Sequence, residues 1–120
     1  MCCTIFSLHR TNGVSITLPG KLNGHANPNH YPYEVVKYSM DEAAKRLEAY
    51  AATASTSTPE GHGNVGAHQL RPWLQDFDYG GNYDEKEVRA QKQAVYDAGL
   101  TGWMLWDPRV RYTRSALDEE

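Results

Sequence analysis

The residues best suited to chemistry are two aspartates, each closing a short apolar run with tryptophan nearby. Leu70-Arg-Pro-Trp-Leu-Gln-Asp-Phe77 delivers Asp76, and Gly102-Trp-Met-Leu-Trp-Asp-Pro108 delivers Asp107. Glycoside hydrolysis uses two carboxyl groups, one protonated and one ionised, at ~5–5.5 Å for retention or ~6.5–9.5 Å for inversion. Aspartates at the ends of adjacent strands can meet either separation, and flat indole faces suit sugar rings. Asp76 is therefore the catalytic candidate. Arg71 and Gln75 would orient it or the sugar, Trp73 and Trp106 would stack, and Asp107 would contact substrate. The commoner alternative is that both aspartates cap the loops that follow and the tryptophans fill a core.

Other chemistries find little support. His62 and His68 lie in a loop with no cysteine cluster, short of the three or four spaced ligands that zinc needs. Cys2 and Cys3 are adjacent and are the only cysteines, so they have no partner elsewhere in the chain for a structural disulfide. The glycines at 61, 63, 80 and 81 lack the strand, helix and lysine of a phosphate loop. Arg109, Arg111 and Arg114 read as a solvated patch. No metal and no cofactor are implied.

The elements that must hold the two aspartates are well signalled. Pro32 suits the first position of a helix. Tyr33, Val36, Met40, Ala43, Ala44, Leu47 and Ala51 recur every three or four residues, which predicts a helix over about 32–52. A second helix follows Asp84, which forms a capping box with Glu87, with Tyr83 and Val88 as the hydrophobic staple. Val88, Ala94, Val95 and Ala98 mark its buried side, and Gly99 ends it. Residues 70–106 thus read strand, loop, helix, tight turn, strand, with the strands parallel by the right-handed crossover rule. Alternation in the first strand sets Arg71, Trp73, Gln75 and Phe77 on one face and Pro72, Leu74 and Asp76 on the other. Leu74 suits a helix layer, which leaves Arg71, Trp73 and Gln75 facing the opposite side. The second strand has no plainly polar face.

The rest of the chain is less informative. Val14-Ser-Ile-Thr-Leu18 alternates like a strand within an otherwise irregular segment 1–20, and residues 21–31 are turn chemistry throughout. Residues 53–68 form a Ser/Thr/Gly-rich insertion expected to be flexible. At 120 residues the chain fits one domain and falls short of the about 200 a (β/α)₈ barrel requires. A net charge of −3 gives no electrostatic ground for a nucleic-acid partner. No run approaches the ~20 apolar residues of a membrane span.

Asn27-Pro-Asn-His-Tyr-Pro-Tyr-Glu-Val-Val36, Leu70–Phe77, Val88-Arg-Ala-Gln91 and Asp97-Ala-Gly-Leu-Thr-Gly-Trp-Met-Leu-Trp106 together resemble the C-terminal part of a bacterial family described as a putative glycosyl hydrolase domain. The resemblance covers roughly residues 22–117, with residues 1–20 departing from the pattern. It implies an α/β fold: the C-terminal fragment of a TIM barrel, about two to three β/α units, over 21–120. It implies a carbohydrate substrate, with Asp76 ending the penultimate strand and Trp106 the last. The missing N-terminal part of the barrel would be a partner, and the chain alone would be inactive. From a different class, a small non-enzymatic carbohydrate-binding or interaction module is the alternative.

Overall fold

The computed structural model describes residues 27–54 and 66–117. The expected strand Val14–Leu18 lies outside them. Pro32 opens the first helix, α1 (Pro32–Ala54), which runs two residues beyond the end expected from the sequence. Its apolar stripe does what its spacing requires: Val36 and Met40 are buried, with Tyr33 partly so. Val35, off the stripe, is buried as well. On the outer side Lys37 pairs with Asp41 at 2.6 Å, the i,i+4 spacing that brings side chains together on a helix.

A single 3₁₀ turn, Ala67–Gln69, leads into strand β1 (Trp73–Gln75), which pairs in parallel with β2 (Met104–Trp106). The register sets Trp73 against Met104, Leu74 against Leu105 and Gln75 against Trp106. Between the strands runs α2 (Glu85–Asp97). The Asp84–Glu87 capping box is formed on both sides, so two otherwise orphaned N–H groups are satisfied. Tyr83 and Val88, the staple pair, are both buried. Gly99 adopts φ +81°, the left-handed conformation that ends helices cheaply only at glycine.

The core lies between the two helices and one face of the strand pair. Val36, Met40, Leu74, Ala94, Val95 and Leu100 form it, with Leu105 and Trp103 packed at its margin. Leu74 therefore faces the helices, as alternation required, and Trp73 and Gln75 face away with Met104 and Trp106. This is a small α/β fold with a β-α-β unit, whose two strands form the only sheet among the described residues.

The edge of β1 remote from β2 is closed by a side chain. Peptide groups of alternate strand residues point to opposite sides; β2 bonds to Pro72 O and Asp76 N, leaving Gln75 directed outward. Gln91 of α2 meets it there: its Oε1 accepts from Gln75 N at 2.9 Å and its Nε2 donates to Gln75 O at 2.8 Å. The amide thus imitates a neighbouring strand for one residue.

Beyond β2 the chain folds back as a strap over α2. Lys92 donates to Ala116 O at 2.7 Å, and Arg89 donates to Ser115 O at 2.6 Å. The buried Lys92 ammonium also lies 5.3 Å from the centre of the Trp103 ring, close enough for cation–π attraction. Glu85 is held below its ordinary carboxylate pKa by a hydrogen bond with the Ser115 side chain and next by Arg89.

Candidate functional site

The two parallel strands end together, and a cleft of about 420 Å³ opens beyond them. Asp76, Phe77, Asp78 and Tyr83 line one side, and Asp107, Arg109 and Arg111 the other. The parallel register explains the meeting of the two candidate aspartates: Gln75 pairs with Trp106, so Asp76 and Asp107 leave the sheet at the same level.

Every carboxylate in the cleft holds a piece of backbone. Asp76 is only 3% exposed. Its Oδ2 accepts from Thr113 N at 2.8 Å and its Oδ1 from the Thr113 hydroxyl at 2.7 Å. Asp107, also buried, accepts from Arg109 N in an Asx turn. Asp78 accepts from Tyr83 N at 2.8 Å, and Asp84 caps α2. Arg109 and Arg111 are exposed and form no ion pair among the described residues.

The loop that carries Asp78 is fixed from below by the Asn27-Pro-Asn-His30 turn. Asn27 Nδ2 donates to Gly80 O at 3.3 Å, and His30 Nε2 lies 3.0 Å from the same oxygen. Gly80 has φ +68°, and a Cβ there would lie 2.2 Å from Asn29 Nδ2. Only glycine satisfies both the conformation and the approach.

The tryptophans occupy a different place. Trp73 and Trp106 stand 37% and 52% exposed on the sheet face turned away from the helices. Their rings meet edge to face at 5.9 Å, a favourable aromatic arrangement. Neither lines the cleft, nor do Arg71 and Gln75. Arg71 crosses over Gly102, where a Cβ would stand 1.8 Å from its guanidinium nitrogen. Gln75 is buried and donates to Phe77 O at 2.8 Å. Of the six candidates, the structure brings Asp76 and Asp107 together and sets Trp73 and Trp106 together on the other face.

The sequence model of a family described as "Putative glycosyl hydrolase domain", a domain of unknown function, matches residues 15–112. That is well over half the chain. The chain belongs to this family. The match reaches back to residue 15, into the stretch expected to depart from the family pattern. No curated protein and no solved structure gives a significant match.

Four residues shape the site that had been given no role in it: Thr113, one position beyond the family match, and Asn27, Asn29 and His30 within it. Thr113 anchors Asp76 from 37 positions away. Asn27, Asn29 and His30 seat the loop at Gly80. Threonine at 113 carries no local signal, since its partner is distant in sequence. The Asn-Pro-Asn-His run reads as turn chemistry, which does not point to Gly80 as its partner. Among the described residues no three His, Cys, Asp or Glu side chains gather as metal ligands, and no helix is long and apolar enough to cross a membrane.

Proposed function

We propose that the chain supplies part of a carbohydrate-cleaving site, with the cleft at the strand ends as the sugar subsite. The observation that carries this is the convergence of Asp76 and Asp107 at the paired ends of parallel strands, in a chain of the glycosyl hydrolase family. Strand ends are where α/β barrels collect their catalytic groups. Asp76 serves as one carboxylate of a hydrolytic pair and Asp107 binds substrate. Phe77 and Tyr83 give the cleft apolar surface for a sugar ring. The chain forms part of a TIM-type barrel, and the face bearing Trp73, Gln75, Met104 and Trp106 turns toward its interior. Trp106 and Trp73 there stack on sugar further along the chain of rings, with Arg71 and Gln75 beside them. Further strands supply the second catalytic group, so the isolated chain binds glycan without cleaving it.

A second reading, a carbohydrate-binding module without catalysis, is favoured by one specific observation. Both Asp76 oxygens are already engaged by Thr113, as fits a structural carboxylate. One substitution separates the two. In a longer family member that cleaves a glycoside, Asn at the position of Asp76 should lower kcat by about 10²–10⁴-fold if that carboxyl transfers a proton. Unchanged turnover would remove Asp76 from the catalytic pair and favour the binding module.

A further inference from the structure

The segment after β2 has features of a closed strap rather than a passive tail. It crosses from Asp107 to Leu117 and is pinned to α2 by Arg89 and Lys92 through the carbonyls of Ser115 and Ala116. Its middle is pinned by Asp76, which accepts from both the N–H and the hydroxyl of Thr113. With that double contact made, Asp76 on the cleft wall is 3% exposed. The outer side of the strap is open: Val110 is 74% exposed and Tyr112 41%.

The strap also contains the one non-glycine residue with positive φ among the described residues. Val110 sits at φ +56°, a left-handed conformation that is unfavourable for any side chain and rare for a β-branched one. Its N–H donates to Asp107 O at 3.1 Å, and the Asx turn at Asp107 precedes it. Strained backbone persists where surrounding contacts hold it, and it is concentrated at switch segments. Here the contacts downstream of the strain are the Thr113 latch and the α2 anchors Glu85, Arg89 and Lys92. Release of the latch frees Val110 to return to extended backbone and lifts residues 110–113 from the carboxylate.

We propose that residues 110–113 gate the cleft, with Thr113 as the latch and Val110 as the strained hinge. The inference rests on the reading of the cleft as a sugar subsite and adds its regulation: ligand reaches Asp76 only when the strap lifts. Asp76 is therefore shielded in the unliganded chain, and a saccharide that engages it must displace the Thr113 hydroxyl and N–H. Thr113 acts here as a positioning residue, since it touches the carboxylate and not the ligand.

The test is carboxyl labelling of the full chain with a water-soluble carbodiimide and glycine ethyl ester, read by peptide mass spectrometry. Asp78 and Asp84, both exposed, serve as internal references. Asp76 should label at least about tenfold more slowly than either. Thr113→Val keeps the backbone donor and loses the hydroxyl, so Asp76 labelling should rise about tenfold, the effect of one hydrogen bond to a charged group. Thr113→Ser should label as the parent does. Val110→Gly relieves the left-handed strain of the closed strap and should slow Asp76 labelling about threefold. Unfolding cannot imitate that slowing, so the Val110 variant decides even if Thr113→Val loses its helical circular dichroism.

Fast labelling of Asp76 in the parent chain overturns the proposal, as does a Val110→Gly chain that labels faster. No saccharide is needed, so the outcome is separate from the hydrolase reading. Glycan binding to the cleft with Asp76 labelling unmoved by either variant would leave the carbohydrate reading standing and remove the gate.

Discussion

Gln91→Leu should destabilise the fold although it replaces a polar residue by an apolar one of similar size in the core. Gln91 is only 1% exposed, and its amide bonds both peptide groups of Gln75 at 2.9 and 2.8 Å. Leucine would fill the space and leave a buried N–H and C=O of β1 without partners. Each such group costs about 1–3 kcal/mol, so the pair costs about 2–6 kcal/mol, before any gain from the added apolar surface. A leucine in place of the amide returns about 1–2 kcal/mol of transfer energy. The expected net loss is then about 0–5 kcal/mol, centred on ~2.5 kcal/mol, a large fraction of the roughly 5–15 kcal/mol that holds a domain together. Urea unfolding followed by tryptophan fluorescence and far-UV circular dichroism measures it, and amide exchange at Gln75 localises it. A variant within ~0.5 kcal/mol of the parent, with Gln75 exchange unchanged, would refute the idea that Gln91 substitutes for a strand at this edge.

Two glycines should respond to alanine to different degrees. Gly80→Ala meets both positive φ and the Asn29 amide, so it should lower the urea midpoint by the equivalent of about 1–3 kcal/mol. Gly102→Ala meets the far end of the flexible Arg71 side chain and should cost under ~1 kcal/mol, merely displacing the guanidinium. The α1–α2 contact of Tyr33 with Asp97 at 2.7 Å should give a pH signature. Asp97 is held below its ordinary 3.8 by the Tyr33 hydroxyl first, then by Gln93, so its contribution is complete above that value and fades as pH falls through the lowered pKa. Tyr33 is raised above 10.0 by the same bond to Asp97, so its contribution is complete below 10.0 and fades as pH rises through the raised pKa. Tyr33→Phe should flatten the urea midpoint at both ends of that range, and an unchanged pH profile would show that the contact is not formed in solution.

Much of the framework was legible because its signals are local. Pro32 and the three-four spacing of Val36 and Met40 defined α1, and the Asp84–Glu87 box with Gly99 bounded α2. Alternation around Leu74 told which face of β1 meets the helices. That same parity also separates Asp76 from Trp73, and Asp107 from Trp106, which the expectation of one joint site passed over. The contacts that were not legible join distant positions. Thr113 and Asp76, Gln91 and Gln75, and Asn27 and Gly80 find each other through the fold, and nothing in either member's neighbours announces the other. Gln91 is the instructive case. A glutamine at a core position of α2 reads as a flaw in the apolar pattern, and the structure turns it into the missing neighbour of β1.

Glycan binding at the cleft is the central claim, and the direct measurement is a ¹⁵N–¹H correlation titration of this chain with oligosaccharides that it retains on a glycan array. Amide shifts should concentrate at Asp76, Phe77, Tyr83, Asp107, Arg109 and Arg111, and Asp76→Asn should weaken them, with changes in the unliganded spectrum confined to the cleft and to the strap that Asp76 pins through Thr113. An array with no retained glycan, or shifts confined to residues remote from the cleft, would contradict the assignment of this cleft as a sugar subsite.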